Sequence, residues 1–160
     1  MKSRQIAPYA AIVLVAILLD QAIKAMVEAF LPLHQQVDIL PFLALLHSQN
    51  TGVAFSFLSG VGGLWVSLLV LGVIIFITVL AFRTDSSHFF ARLGFALILG
   101  GAVGNLIDRA TRGYVVDYVY FHTPVWSFAI FNLADAFITV GALLVILEEV
   151  LGLRRQRQES

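Results

Sequence analysis

Cysteine is absent from the 160 residues, which excludes disulfides, thiolate nucleophiles and cysteine-based zinc sites and leaves the redox compartment open. Charge is scarce: Asp, Glu, Lys and Arg make up 12% of the chain and the formal net charge is zero. With no basic run interleaved with aromatics, nucleic acid is not expected as a partner. There is no glycine-rich phosphate loop, because the GGAVG run at 100–104 lies inside an apolar segment. His34, His47, His88 and His122 are scattered and form no HExxH pair, so zinc hydrolysis lacks ligands at helical spacing and no metal or other cofactor is expected. Ser56, Ser59 and Ser67 have no motif that would supply a base and its orienter, which argues against serine chemistry.

What the chain has in excess is apolar surface. At 59% hydrophobic it is too apolar for a soluble domain with one core, and it reads as a membrane protein. Runs at about 6–27, 61–82, 89–108 and 129–151 are long enough to cross a bilayer, which takes about 20 apolar residues. Lys2 and Arg4 before the first run also suit a signal peptide, but Ala22 and Ala25 are interrupted by Lys24 and are not spaced as a cleavage site, so an uncleaved first helix is expected. Pro32, Pro41, Asn50 and Gly52 break the helical pattern over 31–59, and Val53, Phe55 and Phe57 alternate at period two. That predicts short strands outside the membrane, with Phe42 adding to an apolar face that lies on lipid. The expected fold is an all-α polytopic membrane protein, four transmembrane helices with a small extracytoplasmic β-sheet at the membrane surface, in one domain over 1–160. No internal repeat and no long linker is visible. Lys2, Arg4, Arg83, Arg92, Arg154, Arg155 and Arg157 fall on the side of the termini and Lys24, Arg109 and Arg112 on the other. This asymmetry predicts cytoplasmic termini.

Against this background, residues 99–136 concentrate Asn105, Asp108, Arg109, Asp117, Asn132 and Asp135. An ionisable residue in the hydrocarbon region costs about 2.5–3.5 kcal/mol on insertion scales, so such a cluster needs a function. Asn132 and Asp135 stand three apart on one helix face, and Asp117 lies in VVDYV, which reads as extended. Two carboxylates that meet in a low-dielectric site share a proton, and such a pair can hold a water with one member as base and the other as acid. Each aspartate alone could equally be a helix cap or an ion-pair partner of Arg109 or Arg112. Asp108 could simply terminate the third helix, and it is kept as a supporting residue. Asp20 and Lys24, four apart, read either as a snorkelling interfacial pair or as an interior pair organising the polar site. Asn50, Thr51 and Gly52 read as turn chemistry, His88 as solvated and His122 as an interfacial loop residue. Gly100, Gly101 and Gly104 provide a small-xxx-small surface for close helix approach. The tail RRQRQES reads as a solvated basic end.

DQAIK at 20–24, NTGVAFSF at 50–57, GGAVGNLIDR at 100–109, VVDYV at 115–119 and FNLADA at 131–136 together resemble lipoprotein signal peptidase, the signal peptidase II family, in order and across essentially the whole chain. The resemblance implies an intramembrane aspartic endopeptidase of the bacterial cytoplasmic (inner) membrane. Such an enzyme removes signal peptides from diacylglyceryl-modified prolipoproteins just before the lipidated cysteine. It implies Asp117 and Asp135 as the catalytic pair. It also implies Asn50, Asn105, Arg109 and Asn132 as residues lining the site and holding substrate backbone, with Gly52 beside them and Asp20 and Lys24 as the polar pair of the first helix. Cyclic peptide antibiotics such as globomycin are the implied inhibitors, and nothing demands a partner subunit, so a monomer is expected. Two rivals are a small proton-coupled transporter with intramembrane carboxylates and a non-catalytic assembly module built on the glycine-containing helix. The first would show repeated, broken helices with polar groups near the midplane, and the second does not explain paired aspartates.

Overall fold

The structure is a computed structural model that describes residues 3–52 and 63–159. Its elements are α1 (Ser3–Phe30), β1 (Gln36–Leu40), β2 (Leu43–Asn50), α2 (Gly63–Arg83), α3 (Phe89–Thr111), β3 (Val115–Thr123), β4 (Trp126–Ser127) and α4 (Leu133–Glu159). Each helix carries a stretch long and apolar enough to cross a membrane: Ala7–Phe30, Leu64–Arg83, Phe89–Thr111 and Leu133–Arg154. Large apolar side chains such as Leu68, Phe76, Leu143 and Ile146 face outward, which water would penalise and lipid solvates.

Helix α3 is the central post, packed against α1, α2 and α4. Its small residues allow the approach. Gly100 lies against Ala16 and Gly104 against Asp20 of α1, while Gly94 meets the backbone of Gly141 and Gly101 that of Ala134 in α4. A Cβ at Gly104 would sit 2.6 Å from Asp20 Oδ2, so the missing side chain is the space in which Asp20 is buried.

At one end of the bundle lies an antiparallel sheet in the order β1-β2-β3-β4. Gly113, with φ +82°, follows the helical cap residue Arg112. This left-handed position, which suits glycine, ends α3 and turns the chain back into β3. The β-branched VVDYV segment is extended as its composition predicts. Its partner is β2, with Ser48 opposite Asp117 and Asn50 opposite Val115. The predicted alternation at Val53, Phe55 and Phe57 lies outside the described residues. Within the expected 31–59 segment the strands fall at 36–50, the others come from the segment between α3 and α4, and Phe42 sits half-exposed in the β1–β2 turn.

His122 is a correction, since it belongs to β3 rather than to a loop, stacks on Tyr120 and lies 3.7 Å from Asp38. His88 has half of its side chain exposed and lies 3.4 Å from Glu148, whose other oxygen accepts the Phe90 N–H at 2.9 Å. The backbone of the tail stays helical to Glu159.

Candidate active site

The start of α4 organises the site. The first N–H groups of a helix have no partners within it and need them from elsewhere. Here Leu133 N–H donates to the Tyr118 hydroxyl at 3.1 Å, Ala134 N–H to Asp20 Oδ1 at 3.0 Å and Asp135 N–H to Asn132 Oδ1 at 3.0 Å. Asp135 Oδ2 accepts the Asn132 N–H in return at 3.3 Å. This is a capping box with aspartate in the return position, and it holds the Asp135 carboxylate against the helix end. Its Oδ1 accepts Asn105 Nδ2 at 2.8 Å.

Asp117 arrives from β3, buried at 3% exposure. Its Oδ1 accepts Asn132 Nδ2 at 2.6 Å and its Oδ2 accepts Asn50 Nδ2 at 3.0 Å. Asn132 therefore touches both aspartates, which face the same cleft. Burial, and then the neighbouring Asp135 carboxylate, push the Asp117 carboxyl up from its ordinary value to about 7.

The cleft encloses about 700 Å³ between α2, α3 and α4, lined by Leu69, Val73, Ile98, Ala102, Ile138 and Thr139 along the helices and by Phe128–Phe131 at the sheet end. Its walls are apolar and its polar atoms converge at one end on Asp117, Asp135, Asn50, Asn105 and Arg109. Arg109 closes that end, donating from Nη2 to the Gly52 carbonyl at 2.6 Å and from Nη1 to the Asn105 carbonyl at 3.2 Å.

The expected supporting residues divide into two layers. Asn50, Asn105 and Arg109 line the cleft with the two aspartates. Asn132, Asp20, Lys24 and Asp108 are fully buried behind them. Asn132 thus differs from the expectation of a residue that grips substrate: its amide is taken up by Asn105, Asp117 and Asp135. Burial also decides between the two readings of Asp20 and Lys24, which are 2.8 Å apart with both side chains inaccessible, so snorkelling is excluded. Asp108 does more than end a helix. Its Oδ2 meets Lys24 Nζ at 2.8 Å and the Val116 N–H at 3.3 Å, and its Oδ1 meets Arg112 Nη1 at 2.7 Å and Gln21 Nε2 at 2.8 Å.

Two contributors escape sequence reading. Gln21 ties Asp108 to the Gly104 carbonyl, and the Tyr118 hydroxyl caps α4. A tyrosine in VVDYV carries only a strand signal, and nothing in DQAIK distinguishes the glutamine from a surface residue.

Four helices long and apolar enough to span a bilayer, around a cleft whose polar end holds the amide-bonded carboxylates of Asp117 and Asp135, define a polytopic membrane protein with paired aspartates. The family model for signal peptidase (SPase) II matches residues 12–151, and the chain belongs to that family of peptidases. A protein of Mesorhizobium japonicum called lipoprotein signal peptidase is 56% identical over 153 residues, covering 96% of this chain and 91% of its own length. One of the same name from Brucella ovis is 55% identical over 146 residues, covering 91% of each chain. Two solved structures described as a bacterial membrane enzyme are each 27% identical to this chain. One has a TM-score of 0.77 over 91% of this chain and 88% of its own, the other 0.72 over 89% and 92%.

Proposed function

We propose that this chain is an aspartic endopeptidase that removes the signal peptide from diacylglyceryl-modified bacterial prolipoproteins, cutting just before the lipidated cysteine. The observation that carries the proposal is that Asp117 and Asp135, from different elements, are held by asparagine amides at the polar end of one apolar cleft. Membership of the signal peptidase II family and the names of the relatives support the same reading.

The pair holds one proton and one negative charge. Asp117, with its carboxyl pushed up to about 7, supplies the proton, and Asp135 in the first turn of α4 carries the charge beside the positive end of the helix dipole. A water between them loses a proton to Asp135 as its oxygen bonds to the scissile carbonyl carbon, while Asp117 protonates the carbonyl oxygen. The resulting gem-diol collapses: the C–N bond breaks, the amine leaves with the proton taken up by Asp135, and a hydroxyl proton returns to Asp117. Cut peptide, lipoprotein and the original protonation state of the pair are the products of the cycle.

The substrate carries a lipid anchor, so it enters sideways from the bilayer into the cleft between α2 and α4, with the sheet resting at the headgroups. The termini lie in the cytoplasm of a bacterial cell with the enzyme in its inner membrane, and the carboxylates at the extracytoplasmic face. Residues 1–160 act as a single domain and as a monomer without cofactor, and cyclic peptides of the globomycin type occupy the cleft as inhibitors. Asn50, Asn105 and Arg109 contact substrate, whereas Gly52, Asn132, Asp20, Lys24 and Asp108 hold the contact residues in place.

The test is cleavage of a diacylglyceryl-modified prolipoprotein by purified protein. A shortened lipoprotein and a free signal peptide are expected, with both products lost in Asp117→Asn and in Asp135→Asn although each variant stays inserted. Turnover by either variant refutes the assignment.

A further inference from the structure

Lys24 is wholly buried and all its capacity is used. An ammonium has three donors and no acceptor, and here they go to Asp20 Oδ2, Asp108 Oδ2 and Asn105 Oδ1, each at 2.8 Å. A donor-only group dictates what faces it, so the Asn105 amide turns its oxygen toward α1. That oxygen also accepts Asn132 Nδ2 at 3.2 Å. The Asn105 NH2 is thereby left to point at Asp135 Oδ1. The opposite orientation would set an amide NH2 against both an ammonium and another NH2.

The other two amides around the pair are oriented by the same logic but by backbone. Gly52 N–H donates to Asn50 Oδ1 at 2.9 Å and Asp135 N–H to Asn132 Oδ1 at 3.0 Å, which sends both NH2 groups to Asp117. Asn105 is oriented by the Lys24 side chain. As a stabilising device, a buried ion triad is poor, since apolar residues of similar volume often do as well or better. Its placement one amide away from a reacting carboxylate gives it another use.

Resting on the reading of the pair given above, we propose that Lys24 is a positioning residue of the peptidase: through Asn105 it aims an amide donor at Asp135, and its charge sets the pH window in which the pair holds one proton. The charged and titratable groups around the pair are Lys24 and Asp20 from α1, Asp108 and Arg109 from α3, Tyr118 from β3 and the two aspartates themselves. Of these, Lys24 holds the Asp117 carboxyl lower than burial and Asp135 would otherwise set it. Removing the ammonium therefore moves the protonation of Asp117 to higher pH.

The experiment compares pH profiles of kcat for wild type and for the double variant Lys24→Met with Asp20→Asn. This pair of changes removes one charge of each sign and leaves Asp108 with Arg112 and Gln21. The expected result is a fall in kcat of about tenfold or more with KM for the lipidated substrate little changed, and an alkaline limb displaced upward by about 0.5–1 pH unit, the lower part of the range for a neighbouring charge. A drop in kcat that is uniform across pH, with the limb unmoved, overturns the inference, because a merely structural role predicts that. If the double variant does not insert, Asn105→Ser decides. It keeps the Asp20–Lys24–Asp108 triad and cuts its link to Asp135, and a kcat equal to that of wild type there overturns the inference equally. Activity in Asp117→Asn would instead mean that the reading of the pair itself fails; an inactive Asp117→Asn beside an unshifted Lys24 variant removes only the role given to Lys24.

Discussion

Asn132 and Asp135 cap one another across the first turn of α4: the Asn132 side-chain oxygen accepts the Asp135 N–H at 3.0 Å while Asp135 Oδ2 accepts the Asn132 N–H at 3.3 Å. The same asparagine donates from Nδ2 to Asp117, so a helix cap is also the strut between the two carboxylates. Capping and positioning can be separated by substitution. Asn132→Ser keeps an acceptor for the cap but loses the NH2, and it is expected to retain thermal stability in detergent while kcat falls about a hundredfold. Asn132→Ala is expected to lose the same activity and, in addition, about 1 kcal/mol of stability, the usual worth of an N-cap. Equal stability in the two variants would show that the cap contributes nothing.

Above neutrality the enzyme should fail for want of a proton. Asp117 is raised to about 7 by burial and by Asp135, so its protonated form is full well below that value and is lost as pH rises through it. kcat for the lipidated prolipoprotein is expected to fall on the alkaline side from about pH 7. A rate that stays flat to pH 9 would contradict the role of Asp117 as proton donor.

The cleft offers a test that leaves the carboxylates untouched. Thr139 lies one turn beyond Asp135 on the cleft wall, with its hydroxyl bonded to the Asp135 carbonyl at 2.8 Å. Thr139→Trp is expected to fill the entrance and lower kcat/KM by about tenfold or more, with little change in melting temperature. Unaltered kcat/KM would mean that the peptide does not pass along this wall.

Close helix contact at α3 predicts a different kind of damage. A methyl group at Gly104 would meet the buried Asp20 carboxylate, and overpacking of this sort costs about 1–3 kcal/mol. Gly104→Ala is expected to lower the melting temperature and reduce kcat, because Asp20 holds both Lys24 and the Ala134 N–H. Gly113→Ala meets nothing but strains a left-handed turn, so a smaller loss of stability with activity kept is expected.

Much of the candidate site was legible in the sequence. Asp117 and Asp135 stood out because acids are costly among apolar residues, and Asn132 shares a helix face with Asp135 by spacing alone. Lys24 was ambiguous for a physical reason: an i, i+4 pair near a helix end can face lipid headgroups or the bundle interior with the same sequence. Gly104 of α3, 80 residues away, provides the room that settles it. The sheet was harder, because β2 finds its partner in β3 across α2 and α3, and alternation within one segment carries no information about a distant strand.

Crossing a bilayer is a property of run length, and run length is written in one dimension; the four spans and the placing of the acids at one end of them follow from the amino-acid sequence alone. Which atom of an amide faces which carboxylate is not local. Asn105 points its NH2 at α4 because an ammonium from α1 claims its oxygen, and Asn50 and Asn132 turn toward β3 because backbone N–H groups claim theirs. Those orientations need several elements in contact at once, and only the tertiary structure brings them there.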